Sequence, residues 1–307
     1  YIEAVRLHSS RQGQVSDGEM MQTQVEEIST SEVAYTPSAG RRTRYLRHLG
    51  LIIASAPMVL FLAIPMIALV AQAPLEEIIA RLTDRQVSMA IALSVYTTIT
   101  TTCVTVALGT PLAYLMARYR FRGKKMLDTL IDLPLVLPPS AAGIALLLTF
   151  GRHGILGERL ADLGLQIPFT PLAVVLAQTF VSAPFYIRAT MNGIASVDSS
   201  LEEAGMVDGA GTLRLFWSIT FPLARVAMIS GAIMTWARAL GEFGATIIFA
   251  GNFPGRTQTI PIAIYLGFNI NLESAVVLSS ILLCASFGVI MIVKWALKQS
   301  VTRADIY

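Results

Sequence analysis

The sequence predicts an all-α integral membrane protein in which six helices cross the bilayer and both ends of the chain lie in the cytoplasm. Three observations support this fold class: an apolar composition, six long apolar segments, and an uneven distribution of Lys and Arg among the loops. Of the 307 residues, 54% are hydrophobic and 14% are charged, whereas about 25% of the residues of a soluble domain are charged. A lipid bilayer is therefore an expected partner, and we expect a multi-pass protein of the cell membrane.

Each predicted transmembrane helix follows from an apolar segment of sufficient length. About 20 mainly apolar residues are needed to cross roughly 30 Å of hydrocarbon. Six segments qualify: residues 49–72, 89–116, 129–150, 171–192, 224–250 and 274–297. Together they predict a membrane domain over residues 46–300 and a short cytoplasmic end over residues 301–307.

The N-terminal residues 1–45 are expected to form a polar, flexible cytoplasmic tail. Their first forty residues hold six acidic and two basic side chains and too little apolar area to offset the entropy of ordering. They also lack the basic, apolar and small-residue order of a signal peptide. The spans are therefore expected to remain in the mature protein.

The positions of Lys and Arg predict the orientation, because these residues concentrate in cytoplasmic loops. Fourteen of them lie before the first span, after the second, around the loop after the fourth, and at the C-terminal end, whereas the opposite loops hold five. Both termini are therefore expected in the cytoplasm, as an even number of spans requires.

Signatures of soluble enzymes are absent from the sequence. It contains no G-x-x-x-x-G-K-[ST], H-E-x-x-H or G-x-S-x-G motif. The two cysteines lie in apolar segments and the three histidines are scattered, so neither a disulfide framework nor a metal site is expected. We expect a chain that is not an enzyme, holds no cofactor and binds no nucleic acid.

The cytoplasmic loop at residues 193–223 predicts a compact docking element of two short helices. Ser199 or Ser200 is expected to cap the first helix. Glu202 and Glu203 fall in its first turn, where carboxylates suit the positive end of the helix dipole. Three apolar residues share one face at three-residue spacing: Leu201, Ala204 and Val207.

Glycines are expected to separate the two helices of this loop. Gly209 and Gly211 follow the first helix, and glycine accepts the left-handed backbone that a helix C-terminus needs. The second helix is indicated by Leu213, Leu215, Phe216 and Ile219, and it is expected to stop before Pro222. The alternative is an ordinary amphipathic loop lying on the bilayer surface.

At these residues the loop resembles that of the membrane subunits of ABC importers, whose motif is E-A-A, three residues, Gly, nine residues, then I-x-L-P. The chain has Glu203-Ala204-Gly205, Gly209 and Ile219-Thr220-Phe221-Pro222 at the same spacings. It departs from the motif at Gly205 and Phe221, where Ala and Leu are usual. The resemblance implies the type I ABC importer permease fold and a loop that couples to a separate ATP-hydrolysing subunit. The implied coupling residues are Glu202, Glu203, Ala204, Gly205, Asp208 and Gly209.

The resemblance extends over about residues 45–300 and narrows to permeases for tetrahedral oxyanions. Three segments are similar to that branch: Leu133–Ser140, Ala183–Arg188 and Arg238–Thr246. A fourth, Ala250–Tyr265, resembles the molybdate and tungstate members.

This branch implies import of molybdate or tungstate by a homodimer of the chain. The implied partners are a second copy, two ATP-binding cassette subunits that carry ATP and Mg, and an extracytoplasmic oxyanion-binding protein. A sulfate or thiosulfate permease is the close alternative. A secondary transporter driven by an ion gradient is more distant, because it would usually carry coupling residues at mid-membrane and an internal repeat. A membrane-bound enzyme is more distant still.

The spans contain candidate residues of the translocation path: Thr97, Thr101, Pro138, Pro139, Ser140, Arg238 and Glu242. Arg238 lies near the middle of the predicted fifth span, where an arginine costs roughly 2.5–3.5 kcal/mol. Glu242 lies four residues on, so the two can pair; a structural ion pair and direct contact of Arg238 with the anion both stay open. Glycines 241 and 244 alongside favour close helix packing.

Prolines are expected to break the third span, because they remove backbone donors. A helix that restarts at Pro139 or Ser140 would point free N–H groups at an anion, although a simple packing kink is the alternative. The hydroxyls of Thr97 and Thr101 share a face with other hydroxyls of the second span. They either line a polar path or bond to carbonyls of their own helix.

The outward loops, residues 73–88, 151–170 and 251–273, offer the surfaces for the binding protein. Candidate contacts follow a predicted turn in the last of them: Asn252, Arg256, Thr257 and Gln258. A plain surface turn is the alternative.

Overall fold

The computed structural model describes residues 41–270 and 272–304, and side chains within residues 50–74, 76–270 and 272–295. The predicted tail over residues 1–40 and the last three residues lie outside this part. All regular structure in the described residues is helical, which confirms the all-α class there. The helices are α1 (Arg41–Ala71), α2 (Leu75–Thr83), α3 (Arg85–Arg118), α4 (Lys124–Val136), α5 (Pro139–Phe150), α6 (Gly157–Asp162), α7 (Pro171–Ala195), α8 (Ser199–Val207), α9 (Thr212–Leu215), α10 (Phe221–Leu240), α11 (Gly244–Phe249), α12 (Ile260–Ile270) and α13 (Leu272–Ala304).

The chain divides into two units, residues 1–65 and 66–307. The described part of the first unit is a stretch of α1, and its large apolar side chains, such as Leu51 and Phe61, are exposed. The second unit contains the remaining helices. Helix α7 lies in its core, where Val174 and Ala177 pack against Ala142 of α5 and Phe249 of α11.

Five helices in the described residues are long and apolar enough to cross a membrane. They are Gly50–Ala71 within α1, α3, α7, the continuous helical stretch Thr212–Leu240, and Leu272–Trp295 within α13. Helices α4 and α5 give a sixth if they count as one broken span, and they meet at an angle of 117°. The predicted break in the third span is therefore confirmed, and it falls at Leu137 and Pro138.

The predicted fifth span, residues 224–250, is wrong at its C-terminal end. Helix α10 ends at Leu240, and the short helix α11 begins at Gly244. The cause is local: the Oε1 atom of Glu242 accepts a hydrogen bond from the N–H of Ala245 at 2.9 Å. A carboxylate in this position satisfies a free donor at the start of a helix, so the chain begins a new helix instead of continuing the old one.

The three segments that were expected to be outward loops contain helices. Helices α2 and α6 lie in the first two of them, and α12 lies in the third. Helix α12 has 11 residues and is strongly apolar. A helix of that length is too short to cross a bilayer, so α12 is not a candidate transmembrane helix.

Candidate functional site

Helix α8, the first helix of the predicted coupling loop, is capped by Asp198. The side chain of Asp198 accepts a hydrogen bond from the N–H of Ser200 at 3.0 Å, so the predicted caps Ser199 and Ser200 are wrong by one or two positions. Hydrogen bonds from the backbone and side chain of Ser200 lower the pKa of Asp198, because they favour the charged carboxylate. The cap sets the start of the helix that carries the motif.

Gly209 ends α8, as predicted. Its φ is +82°, a left-handed conformation that glycine adopts without a side-chain clash. The N–H of Gly209 donates to the carbonyl of Met206, and the N–H of Ala210 donates to the carbonyl of Gly205, both at 3.0 Å. These two bonds are those of the Schellman motif, and they turn the chain sharply into α9.

Glu202 is the buried carboxylate of the loop. Its relative exposure is 6%, and its Oε1 atom accepts from Arg118 Nη2 at 2.9 Å and from Arg118 Nε at 3.2 Å. The hydroxyl of Thr220 donates to the same oxygen at 2.5 Å. One carboxylate thus joins the C-terminal end of α3, helix α8 and the turn that leads into α10. Sequence analysis placed Glu202 in the loop and did not find Arg118 or Thr220 as its partners.

We call the contact of Glu202 with Arg118 and Thr220 the clamp. The other predicted coupling residues lie in the same loop. Glu203, Ala204, Asp208 and Gly209 are exposed, whereas Gly205 is half-buried. A Cβ atom at Gly205 would lie 2.6 Å from Leu215 Cδ2 and 3.2 Å from Ile219 Cδ1. Gly205, where the motif usually has Ala, therefore lies at a point where α8 closely approaches Leu215 and Ile219.

The predicted apolar face of α8 points away from the rest of the chain. Leu201 is 47% exposed and Val207 is 89% exposed, and Ala204 between them is also exposed. Leu213 and Trp217 of the next segment are exposed as well. Exposed apolar side chains in this arrangement are typical of a surface that contacts a protein partner or a membrane.

The second helix of the loop does not stop before Pro222, so that expectation is wrong. Helix α9 continues through a π-helical turn, Phe216–Thr220, into α10. Pro222 has no N–H to donate and would interrupt regular α-helical winding. In the π turn the N–H of Phe221 bonds to the carbonyl of Phe216, five residues earlier, and this wider winding carries the helix past the proline.

Arg238 and Glu242 form the expected ion pair, with Arg238 Nη1 and Glu242 Oε2 separated by 2.7 Å. The Glu242 side chain is 1% exposed and the Arg238 side chain is 31% exposed. Arg238 lies in the last turn of α10 and not near the middle of a span, because that helix ends at Leu240. Glu242 lies beyond the end of α10, and its Oε1 atom accepts a hydrogen bond from the N–H of Ala245 in the first turn of α11.

The N-terminus of α5 lies next to the start of α11. A Cβ atom at Gly244 would be 2.6 Å from Pro139 Cβ and 3.4 Å from the backbone nitrogen of Ser140, so the predicted packing role of Gly244 is confirmed. At Gly241 the nearest atom would be 3.9 Å away, and the structure shows no such contact among the described residues. Residues 138–140 are exposed.

The predicted hydroxyl face of α3 is buried against α7. Thr97 and Thr101 have no measurable exposure. The Thr101 hydroxyl donates to Gln178 Oε1 at 3.1 Å and lies 3.3 Å from the carbonyl oxygen of Val175, whereas the Thr97 hydroxyl bonds to the carbonyl of Ser94 at 3.4 Å. In the single chain the Thr101 hydroxyl thus joins α3 to α7, the Thr97 hydroxyl bonds within α3, and neither side chain is exposed.

Hydrogen bonds of the Thr257 hydroxyl stabilise the predicted turn near residue 252. The Thr257 hydroxyl accepts from the N–H of Phe253 at 3.0 Å and donates to the carbonyl of Gly251 at 3.3 Å. Thr257 and Gln258 are buried, Asn252 is half-buried and Arg256 is exposed. Of the four candidate contacts, Arg256 is the one that is exposed.

A third charged cluster was missed by sequence analysis. Arg188 of α7 donates from Nε to Asp132 at 2.7 Å, from Nη2 to Asp132 at 2.5 Å and from Nη1 to Asp128 at 2.6 Å. The available signal was the four-residue spacing of the two aspartates on an apolar helix. Within the described part of the chain, no group of His, Cys, Asp and Glu side chains is placed to hold a metal ion.

Comparison with known proteins agrees with this architecture. Residues 109–299 match the family described as binding-protein-dependent transport system inner membrane component. The chain is 39% identical over 233 residues to a protein named molybdenum transport system permease protein ModB of Mycobacterium tuberculosis, covering 76% of this chain and 88% of that one. It is 36% identical over 239 residues to a probable transport system permease protein NifC of Clostridium pasteurianum, covering 78% and 84%.

A solved structure shares the fold. It is a chain of a bacterial ABC transporter that imports the acidic polysaccharide alginate, with a TM-score of 0.68, 15% identity, and coverage of 84% of this chain and 96% of that one. The matched family is one of transport permease subunits and not of enzymes. With several apolar helices long enough to cross a membrane, this chain belongs to the family of binding-protein-dependent transport system inner membrane components.

Proposed function

We propose that the chain is the membrane subunit of an ATP-driven importer that carries molybdate, and its close chemical analogue tungstate, into the cytoplasm. The main observation behind the proposal is the structure of the loop between α7 and α10. Glu202 is buried against Arg118 and Thr220 on one side of the loop, and apolar side chains are exposed on the other. The molybdenum permease relative, which aligns over most of both chains, supports the choice of anion.

The loop is proposed to dock on an ATP-binding cassette subunit that holds ATP and Mg. Leu201, Ala204 and Val207 supply its apolar contact, and Glu203 and Asp208 supply exposed carboxylates beside it. Glu202 faces inward and passes movement of α8 to the ends of α3 and α10. Two such subunits would serve a homodimer of the chain, with six spans in each copy and both termini in the cytoplasm.

The proposed path for the anion passes Arg238 and the N-terminus of α5. Arg238 is partly exposed, and its Nη1 atom pairs with Oε2 of Glu242. Ser140 is exposed at the start of α5, where backbone N–H groups favour negative charge. A tetrahedral dianion could bond to both in passing. On the outer side, Arg256 is the proposed contact for an oxyanion-binding protein.

Uptake by the complete complex in proteoliposomes tests the proposal. We expect molybdate uptake that requires ATP, the ATPase subunit and the binding protein, and that tungstate inhibits. Sulfate uptake without competition from molybdate would replace the anion by sulfate. Uptake driven by an ion gradient without the ATPase subunit would overturn the importer assignment in favour of a secondary transporter.

Substitution of Arg238 tests the path within the same assay. Arg238→Gln is combined with Glu242→Gln so that no buried carboxylate is left unpaired. The double variant is expected to reduce uptake while the complex still assembles, because a positive charge is lost where the dianion passes. Arg159→Gln, which removes an exposed arginine of α6, is the matched control and is expected to keep full uptake. Equal uptake in the two variants would contradict a role of Arg238 in the path of the anion.

A further inference from the structure

Cationic side chains surround a cavity between α3, α4 and α7. Its volume of about 670 Å³ lies in the range of about 300–1,000 Å³ that is typical of small-molecule sites. The described residues that line it include Arg120, Lys124 and Lys125 and one carboxylate, that of Asp128. This carboxylate is already paired, because Asp128 Oδ1 accepts a hydrogen bond from Arg188 Nη1 at 2.6 Å. The lining of the cavity is therefore positively charged.

In the part of the chain that the structure describes, none of these three cations forms a salt bridge with a carboxylate. The basic members of the salt bridges there are Arg118, Arg188 and Arg238. Lys124 Nζ donates to the carbonyl of Tyr119 at 3.1 Å, and this hydrogen bond positions the ammonium group without removing its charge. An anion in the cavity thus meets cations that no carboxylate neutralises.

The cavity lies at the ends of two helices that can cross a membrane. Residues at the C-terminal ends of α3 and α7 line it. Tyr119, which follows α3, is 48% exposed, and tyrosine at the end of a span is typical of the interface between hydrocarbon and headgroups. The coupling loop lies at the same end, because Arg118 of α3 pairs with Glu202 of α8. The cavity is therefore placed at headgroup level on the side of the coupling loop.

The remaining wall of the cavity is largely apolar. Met116 of α3, Phe121 and Met191 of α7 line it beside the cations. A free phosphate ion would use only the positive charge, whereas a phospholipid would also cover the apolar wall with its glycerol backbone and acyl chains. Basic pockets between transmembrane helices on the cytoplasmic side bind the headgroups of anionic lipids. The combination of basic and apolar lining therefore favours a lipid.

We propose that this cavity binds an anionic phospholipid of the cytoplasmic leaflet, such as phosphatidylglycerol. Arg120, Lys124 and Lys125 bind the lipid phosphate, and the apolar wall packs against the glycerol backbone and the first part of the acyl chains. The inference rests on the proposed function only for the side of the membrane, because the coupling loop is proposed to lie in the cytoplasm. The lipid contacts the ends of α3 and α7 beside the clamp.

Titration of the purified complex with phosphatidylglycerol in a neutral detergent tests the proposal, with bound lipid counted by native mass spectrometry. We expect phosphatidylglycerol to bind at least about tenfold more tightly than phosphatidylcholine, because each basic residue near an anionic lipid contributes about fivefold in affinity. Equal affinity for the two lipids would overturn the site.

Substitution of Arg120 tests the position of the site. Arg120→Gln is expected to weaken phosphatidylglycerol binding about fivefold, by the loss of one charge. Arg122→Gln is the matched control, because Arg122 is exposed two residues further on but is not among the residues that line the cavity. It is expected to keep full affinity. Equal losses in the two variants would indicate diffuse attraction to a basic surface and would contradict a site in the cavity.

A competition experiment separates a lipid site from a site for free anions. A large excess of inorganic phosphate or glycerol phosphate is expected to leave phosphatidylglycerol bound, because neither competitor covers the apolar wall. Displacement of the lipid by either competitor would overturn the lipid assignment in favour of a free phosphate. These measurements require no transport. If the complex carries no molybdate, the proposed function fails while the lipid result still stands, and molybdate uptake by a complex that does not bind the lipid would refute this inference alone.

Discussion

The Oε1 atom of Glu202 lies 2.9 Å from Nη2 of Arg118, although the two residues are 84 positions apart in the chain. Thr220, eighteen residues beyond Glu202, donates to the same oxygen. The contact fixes the base of the loop between α7 and α10 to α3, while the apolar residues Leu201 and Val207 of α8 are exposed. Movement of α8 by a partner would therefore be passed to α3 and α10.

Glu202→Gln is expected to destabilise the chain, because it leaves the Arg118 charge without its carboxylate. Loss of one member of a buried pair typically costs about 3–5 kcal/mol. The measurement is the melting temperature of the purified complex. Glu203→Gln removes the adjacent, exposed carboxylate and is expected to leave the melting temperature unchanged. Equal shifts in the two variants would contradict the clamp.

Val207→Asp is expected to abolish association with the ATPase subunit without unfolding the chain. Val207 is 89% exposed, so the folded chain loses no contact, whereas a charge in the centre of an apolar interface would be desolvated. Co-purification of the two subunits measures the effect. Ile155→Asp changes an equally exposed residue before α6 and should leave association intact; loss of association in both variants would point to a general effect of the charge.

Gly209→Ala is expected to lower the melting temperature through backbone strain. A residue with a Cβ atom in the left-handed region costs roughly 1–2 kcal/mol, and Gly209 has a φ of +82°. The control is Gly211→Ala, because Gly211 has a φ of −71° and open space around its Cβ position. A larger effect at Gly211 than at Gly209 would refute the assignment of the helix end.

Gly244→Ala is expected to separate α5 from α11. The added Cβ would lie 2.6 Å from Pro139 Cβ, and overpacking of this kind typically costs about 1–3 kcal/mol. Gly241→Ala, where the nearest atom would be 3.9 Å away, is expected to be close to neutral. Melting temperature and uptake are both measured, since the contact lies beside the proposed path. A neutral Gly244→Ala would show that the two helices do not depend on it.

Much of the fold could be predicted because its causes are local. Apolar length indicates the helices that can cross a membrane, prolines indicate the break before Pro139, and Gly209 indicates the end of α8. The apolar residues of α8 could also be assigned to one face, because helical spacing is enough to place them together.

The partners of the charged residues could not be predicted, because they depend on packing between distant helices. Arg188 meets Asp132 across 56 residues, and nothing in the spacing of either residue names the other. The end of α10 at Leu240 was missed although its cause is local. Composition continues to favour a helix there, but the Glu242 carboxylate caps a new helix instead.

The π turn at Phe216–Thr220 has a consequence for the angle at which α10 meets its neighbours. A π turn holds about one residue more than an α turn, so every side chain after it is rotated by about 100° relative to an uninterrupted α-helix. With this rotation the hydroxyl of Thr235 in α10 donates to the carbonyl of Ser182 in α7 at 3.2 Å. The added residue acts as an angular spacer: Leu213 before it is exposed, while Thr235 in the helix beyond it is buried.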